Sequence, residues 1–135
     1  EKAPDDPDAL WGAASLDLED RQLEAAREKL DRVLELAPEF RRGDASLAYA
    51  KVLVELERWP AARAQLEGHI RRWGAAESYL LLARVLERDG DIEAAKSQLE
   101  TMLARSQGTY EFQYKKNRPF IRQAERMLKQ MEQSS

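Results

Sequence analysis

The chain offers a single histidine, His69, and no cysteine, so the usual nucleophiles and metal ligands are scarce. A histidine acts as a general base or as a metal ligand only together with groups that orient it or share the metal. No second histidine and no thiol is present to complete such a group. We therefore expect His69 to be a packed structural residue, at least partly buried.

Carboxylates are plentiful, and five of them cluster by sequence: Asp5, Asp6 and Asp8 near the start, and Asp89 and Asp91 on either side of a glycine. A paired-acid hydrolase needs two carboxyl groups that face each other across a cleft. These acids instead stand where helix caps or a leader segment are expected. No glycine-rich phosphate loop and no nucleophile-elbow serine is present. The sequence predicts no catalytic residue, no cofactor and no metal site, and we do not expect an enzyme.

Length and charge narrow the class of protein further. At 135 residues, the chain is long enough for one domain with a buried core. Residues 1–40 carry 12 acidic and 5 basic groups, whereas residues 109–135 carry 3 acidic and 6 basic groups, within a net charge of −3. A nucleic-acid-binding protein usually shows a clear basic excess, and no apolar run is long enough to span a membrane. We expect no nucleic-acid partner and no membrane insertion by this segment.

Three stretches share one pattern centred on an alanine. Ala26, Ala62 and Ala95 each follow a large apolar residue by three positions and precede a leucine by four, and they are 36 and 33 residues apart. Another small residue lies twelve positions before each of them: Ala14, Ala50 and Ala83. The apolar residues around both sets recur at helical spacing, so the pattern predicts three pairs of closely packed helices. The predicted pairs are 8–20 with 22–36, 44–56 with 59–73, and 76–88 with 91–105.

The turns inside these pairs differ in sequence. Gly90 in the third turn can adopt the left-handed conformation that ends a helix, and Asp91 can cap the next helix. Arg21 and Glu57 take the place of this glycine in the first two turns, at a small strain cost. Pro60 suits the first turn of a helix.

This alternation of small and large residues resembles the tetratricopeptide repeat (TPR) family, whose repeat is about 34 residues long. The resemblance implies an all-α fold, a right-handed superhelix of three TPR-like helical hairpins plus a C-terminal capping helix. The implied repeats are about 7–40, 43–75 and 76–108 within a single domain, with a cap over 109–135. The chain departs from the family pattern at Asp17, where a large apolar residue is usual, and in a two-residue insertion, Arg41-Arg42.

The C-terminal segment does not begin a fourth repeat. An apolar stripe predicts a helix from about 119 to 132, with Pro119 in its first turn, that covers the last repeat. The stripe is formed by Phe120, Ala124, Met127, Leu128 and Met131. The aromatic segment Tyr110–Tyr114 is expected to be helical and to dock beside the third repeat, rather than to bind RNA or anionic lipid. The run 114–124 also resembles the tail of some bacterial TPR proteins that carry an N-terminal membrane segment. That resemblance implies a bacterial protein with an upstream anchor, so the compartment stays open between the cytoplasm and a membrane-tethered soluble domain.

TPR proteins usually bind partners in a concave groove lined by the first helix of each hairpin. The resemblance therefore implies a protein-protein interaction scaffold or adaptor, with an apolar stripe in the groove that marks the contact site. Two alternatives remain: Trp11 belongs to the core if the first register is shifted by one, and the acidic front and basic tail drive self-assembly of a membrane-anchored protein into a homo-oligomer. The implied groove residues are Trp11, Ser15, Leu18, Leu47, Lys51, Val54, Leu80, Arg84 and Glu87.

Overall fold

A computed structural model of the chain describes residues 6–107 and 111–134, with side chains described for 6–107 and 114–133. These residues form helices and connecting turns and contain no strand, which confirms the all-α prediction. The six predicted repeat helices are present, with ends within about two residues of the predicted ones. The helices are α1 (Pro7–Glu19), α2 (Leu23–Leu36), α3 (Asp44–Glu55), α4 (Trp59–Arg72), α5 (Ala76–Arg88), α6 (Ile92–Gln107) and α7 (Glu111–Ser134).

The chain divides into two compact units. The first ends at Trp73 and contains α1 to α4, and the second begins at Gly74 and contains α5 to α7. In the first unit, α2 packs against both α1 and α3, and α3 packs against α4. In the second unit, α7 packs against both helices of the hairpin formed by α5 and α6.

The turn between the two helices has the same backbone structure in all three hairpins. A residue with positive φ ends the first helix each time: Arg21 (φ 57°), Glu57 (φ 59°) and Gly90 (φ 83°). Its N–H donates to the carbonyl three residues earlier, and the next N–H donates to the carbonyl five residues earlier. This pair of bonds defines a Schellman motif, which satisfies carbonyls left free at a helix end. The predicted left-handed conformation is thus present at all three positions, although only the third is glycine.

The alanines that define the repeat lie in the interior of the hairpins. All six have no exposed surface, as their spacing predicts: Ala14, Ala26, Ala50, Ala62, Ala83 and Ala95. Because an alanine side chain ends at Cβ, two helix backbones can approach closely where alanines face each other. Asp17, which departs from the family pattern, is half-buried on α1 and forms an ion pair of 2.5 Å with Lys29 on α2.

Aspartate side chains cap the starts of two helices, α1 and α6. Asp6 accepts a hydrogen bond of 3.1 Å from the N–H of Asp8 at the start of α1. Asp91 accepts one of 3.3 Å from the N–H of Ala94 at the start of α6, as predicted for this residue. Pro60 lies in the first turn of α4, also as predicted.

The predicted start of the C-terminal helix is wrong. Pro119 does not open a helix but lies inside α7, which already begins at Glu111. A proline in this place leaves one helical hydrogen bond unmade, and Pro119 lies on the exposed side of the helix, away from the packed face. The predicted stripe does face the unit: Ala124 and Met131 are buried, together with Ile121, which the prediction omitted. Tyr110 and the side chains of 111–113 lie outside the described residues, so the predicted docking of that segment does too.

Among the described residues, no helix is both long and apolar enough to cross a membrane.

Candidate binding surface

The three predicted groove residues of α1 lie partly in the interior of the first unit. Trp11 and Leu18 are half-buried and pack against a core cluster formed by Ala14, Leu30 and Val52. Ser15 is half-buried, and its hydroxyl donates a hydrogen bond of 2.9 Å to the carbonyl oxygen of Trp11. This face of α1 therefore contributes to the core and also retains some exposure. Trp11 is neither a fully exposed groove residue nor a fully buried core residue.

The indole ring of Trp11 contacts the segment that joins α2 to α3. Its centroid lies 5.7 Å from that of the Phe40 ring, and the guanidinium carbon of Arg41 lies 5.7 Å from the Trp11 ring centroid. This distance allows a cation–π contact. Phe40–Gly43 forms a short 3₁₀ turn, in which Arg41, Arg42 and Gly43 all have positive φ. The two-residue insertion thus places a cation over Trp11, a contact that no repeat pattern could have predicted.

The predicted groove residues of α3 form the more accessible part of the surface. Leu47 and Val54 are half-buried and Lys51 is exposed, and the three are spaced four and three residues apart along one side of the helix. The equivalent positions on α1 are Trp11, Ser15 and Leu18, each 36 residues earlier. We call the six residues on α1 and α3 the groove face of the first unit.

The third set of groove residues differs from the prediction. Arg84 and Glu87 on α5 are exposed, but Leu80 is only 2% exposed. The expectation that Leu80 adds an exposed leucine to the stripe is therefore wrong. The physical reason is that α5 is buried around most of its circumference, with eight buried residues between Ser78 and Leu86. The exposed apolar atoms of the predicted groove thus lie on the first unit.

A polar cluster lies between α3 and α4, where the sequence predicted only a structural histidine. His69 is 3% exposed, as expected, and its Nδ1 lies 3.0 Å from the hydroxyl of Ser46. The side-chain amide of Gln65 donates to the same hydroxyl at 2.9 Å and to the backbone carbonyl of Ser46 at 3.0 Å. A hydroxyl has one donor and two acceptor sites, so both neutral tautomers of His69 satisfy this bond: Nδ1–H donates to Ser46 Oγ in one, and the hydroxyl donates to Nδ1 in the other.

Burial lowers the pKa of His69, and the carboxylate of Asp44 opposes this shift only in part. His69 Nε2 is buried and has no hydrogen-bond partner among the described residues. The imidazole lies 5.2 Å, centroid to centroid, from the ring of Trp73. The neutral imidazole is therefore the favoured form at neutral pH. The described residues contain no group of three or more side chains that could hold a metal ion, at His69 or elsewhere.

The cluster borders a shallow cleft of about 240 Å³ within the first unit. Its lining mixes apolar and polar side chains, and Arg72 at its edge forms an ion pair with Glu39 and stacks 4.9 Å from the Trp73 ring centroid. A cleft of this size is below the usual range for small-molecule sites. The lining residues are Leu34, Pro38, Ser46, Ala64, Gln65, Gly68, His69, Arg72 and Trp73.

The second unit has a larger cleft of about 580 Å³ beside the C-terminal half of α7. Glu87, which was predicted to lie in the groove, lines this cleft together with Met131 and with Lys96, whose ammonium lies 3.8 Å from Glu93. The cleft was not predicted, because it depends on where α7 packs against α5 and α6.

Comparison of the chain with protein-family models, with curated proteins and with solved structures gives no match. The candidate surface is therefore defined by the sequence repeat and by the geometry of the described residues.

Proposed function

We propose that this chain is a protein-protein interaction module that holds a partner segment on the groove face of its first unit. The supporting observation is the row of half-buried apolar side chains, Leu47 and Val54 on α3, that flank the exposed Lys51. Apolar atoms that stay partly exposed beside a rigid helix are typical of interaction surfaces. We further infer that the three hairpins stack as a right-handed tetratricopeptide-type superhelix.

The chemistry of the groove face favours an apolar or amphipathic partner segment. Leu47 and Val54 offer aliphatic contacts, and the indole of Trp11 offers a large flat surface of the kind that dominates binding energy in protein interfaces. Because these side chains project from helices packed on a shared core cluster, the surface is formed before the partner arrives, and binding orders little of the chain. A partner segment that binds as an amphipathic helix or as an extended chain suits such a surface.

Affinity capture from an extract of the source organism tests the proposal. We expect the intact chain to retain specific proteins, identified by mass spectrometry, that the double variant Leu47→Glu/Val54→Glu does not retain. Each glutamate places an unpaired charge against the apolar contact and should weaken binding by tenfold or more.

The matched control is Leu36→Glu, which changes an exposed leucine at the end of α2 by the same chemistry. Circular dichroism at matched concentration establishes that all variants keep their helices. Equal retention of the captured proteins by the double variant and by the control would remove the groove face from the account.

A further inference from the structure

One leucine of the first unit is exposed at a position that is buried in the next repeat. Leu16 on α1 is 62% exposed, whereas Val52, the residue 36 positions later on α3, is 2% exposed. The same holds for Ala9, which is exposed, and Ala45, which is fully buried. On α1 this face points away from Ala14, because Ala9 and Leu16 lie on the side of the helix opposite to it.

The structure shows what covers the equivalent face of α3. Leu30 of α2 packs on Val52 in the core cluster, and the Tyr49 ring packs against the same cluster. Arg27 and Asp31 of α2 lie near enough to the Tyr49 hydroxyl to influence its pKa, which burial raises. Arg21, just before α2, forms an ion pair of 2.7 Å with Glu55. An amphipathic helix with a central leucine and an arginine just before its start therefore covers this face.

The residues of α1 that correspond to this interface are still in place. Leu16 corresponds to Val52, and Glu19 corresponds to Glu55. On α1, Leu16 and Glu19 are both exposed. Ala9, Gly12 and Ala13 are small, and a Cβ built on Gly12 meets no atom of the described residues within 4 Å. A helix can thus approach the backbone of α1 closely without a change in the first unit.

We propose that this outward face of α1, formed by Ala9, Gly12, Ala13 and Leu16, binds an amphipathic helix of a partner protein that carries a leucine on its apolar face and a basic residue before its first turn. Charge complementarity favours a basic helix, because residues 6–20 contain five acidic residues and no lysine or arginine. A second copy of α1 fits poorly, since Glu19 and Asp20 lie one turn beyond Leu16 in each copy and like charges would meet. This surface lies on the opposite side of α1 from the groove face and does not depend on it.

The probe is a synthetic peptide with the sequence of residues 21–37, which contains both Arg21 and Leu30 and covers the equivalent face of α3 within the chain. Glu28 and Glu35, both exposed on α2, are replaced by lysine in the peptide so that the helix is basic. Titrated into the isotopically labelled 135-residue chain, it should produce saturable amide shifts at Ala9, Gly12 and Leu16, with Kd below about 1 mM. Leu16→Asp should raise the Kd of the peptide by about tenfold or more, since the burial of one leucine side chain is lost. A peptide that carries Leu30→Glu should bind the parent chain with an equally raised Kd.

Two controls separate this surface from the rest of the molecule. Leu36→Asp changes another exposed leucine and should leave the peptide affinity within about twofold of the parent chain, as should Leu47→Glu/Val54→Glu. The proposal is overturned if the peptide shifts no α1 amide, or if Leu16→Asp binds it as tightly as Leu36→Asp does. It is also overturned if sedimentation of the chain alone reveals a dimer that Leu16→Asp abolishes, because a second copy then occupies the face.

Discussion

The imidazole Nδ1 of His69 on α4 lies 3.0 Å from the hydroxyl oxygen of Ser46 on α3, in a site where both side chains are buried. This bond joins the second helix of the second hairpin to the first, and Gln65 holds the serine in place from the same side of α4. A neutral histidine meets these contacts without a charge in the interior. The stability of the first unit should therefore depend on the protonation state of one residue.

We predict that the first unit loses stability as the pH falls below the ordinary histidine pKa of 6.5. Because burial lowers the pKa of His69 in the folded chain, the unfolded chain binds a proton more readily and is favoured as the pH drops from 6.5 toward the folded pKa. The contribution is fully present above pH 6.5. Urea unfolding followed by tryptophan fluorescence at about pH 7.5 and about pH 5.5 measures it, and all three tryptophans lie in the first unit.

The matched variant for this experiment is His69→Gln, whose amide can bond to Ser46 but does not titrate. We expect the free energy of unfolding of this variant to change less between the two pH values than that of the parent chain. An equal loss in both proteins would assign the pH dependence to other groups.

Gly43 is predicted to be intolerant of a side chain. Its φ is +99°, and a Cβ built there would lie 2.7 Å from Cδ2 of Trp73. Gly43→Ala combines a left-handed backbone with overpacking against a large ring and should lower the free energy of unfolding by about 2–4 kcal/mol. Urea titration monitored by tryptophan fluorescence reads this directly.

Gly12→Ala is the control, because Gly12 lies inside α1 with open space around its Cα. It should raise the free energy of unfolding by about 0.5–1 kcal/mol. Similar effects of the two substitutions would show that Trp73 does not lie against Gly43.

The second hairpin turn should improve when its left-handed residue becomes glycine. Glu57 has φ +59° in the Schellman motif that ends α3, and a non-glycine residue in this conformation costs about 1–2 kcal/mol. Glycine removes this strain but also raises the conformational entropy of the unfolded chain, which offsets part of the gain. Glu57→Gly should therefore stabilise the first unit by about 0.5–1 kcal/mol. The thermal midpoint measures the gain, and the reverse change, Gly90→Glu, should destabilise the third hairpin. A loss of stability in Glu57→Gly would contradict the shared turn geometry.

Pro119 should limit the stability of α7. It lies inside the helix and on its exposed side, so Pro119→Ala restores a backbone hydrogen bond without a change in the packed face. We expect a gain of about 1–2 kcal/mol in the unfolding of the second unit, followed by far-UV circular dichroism. Arg118→Ala, at the exposed neighbouring position, should have an effect below about 0.5 kcal/mol. No gain in Pro119→Ala would mean that α7 begins at about residue 119, with the proline in its first turn, as the sequence alone predicted.

The sequence predicted the repeat because its signal is local and periodic. Small residues at Ala14 and Ala26 are separated by twelve positions, and the same pair recurs twice, so the helix contacts follow from spacing alone. The positive φ of Arg21 and Glu57 was also predictable, because Gly90 marks the equivalent place in the third hairpin.

The exposed surface was harder to predict because it depends on packing between distant segments. The burial of Leu80 follows from the contacts of α5 on several sides, and the cation over Trp11 follows from an insertion with no counterpart in the other repeats. The start of α7 was predicted wrongly from Pro119, because a proline is common in the first turn of a helix but also occurs inside one. The cluster of Ser46, Gln65 and His69 joins two helices, and its partners have no sequence signature.

The most direct test of the central claim is site-specific photocrosslinking from the groove face. A photoreactive amino acid at position 51, between Leu47 and Val54, should form covalent adducts with a defined partner segment in an extract of the source organism. The same probe at Glu28, an exposed position on α2, should not form them. We expect the adducts at position 51 to disappear in the Leu47→Glu/Val54→Glu background and to persist in the Leu36→Glu background. Adducts of equal yield at positions 51 and 28, or adducts at 51 that survive the double substitution, would contradict the account.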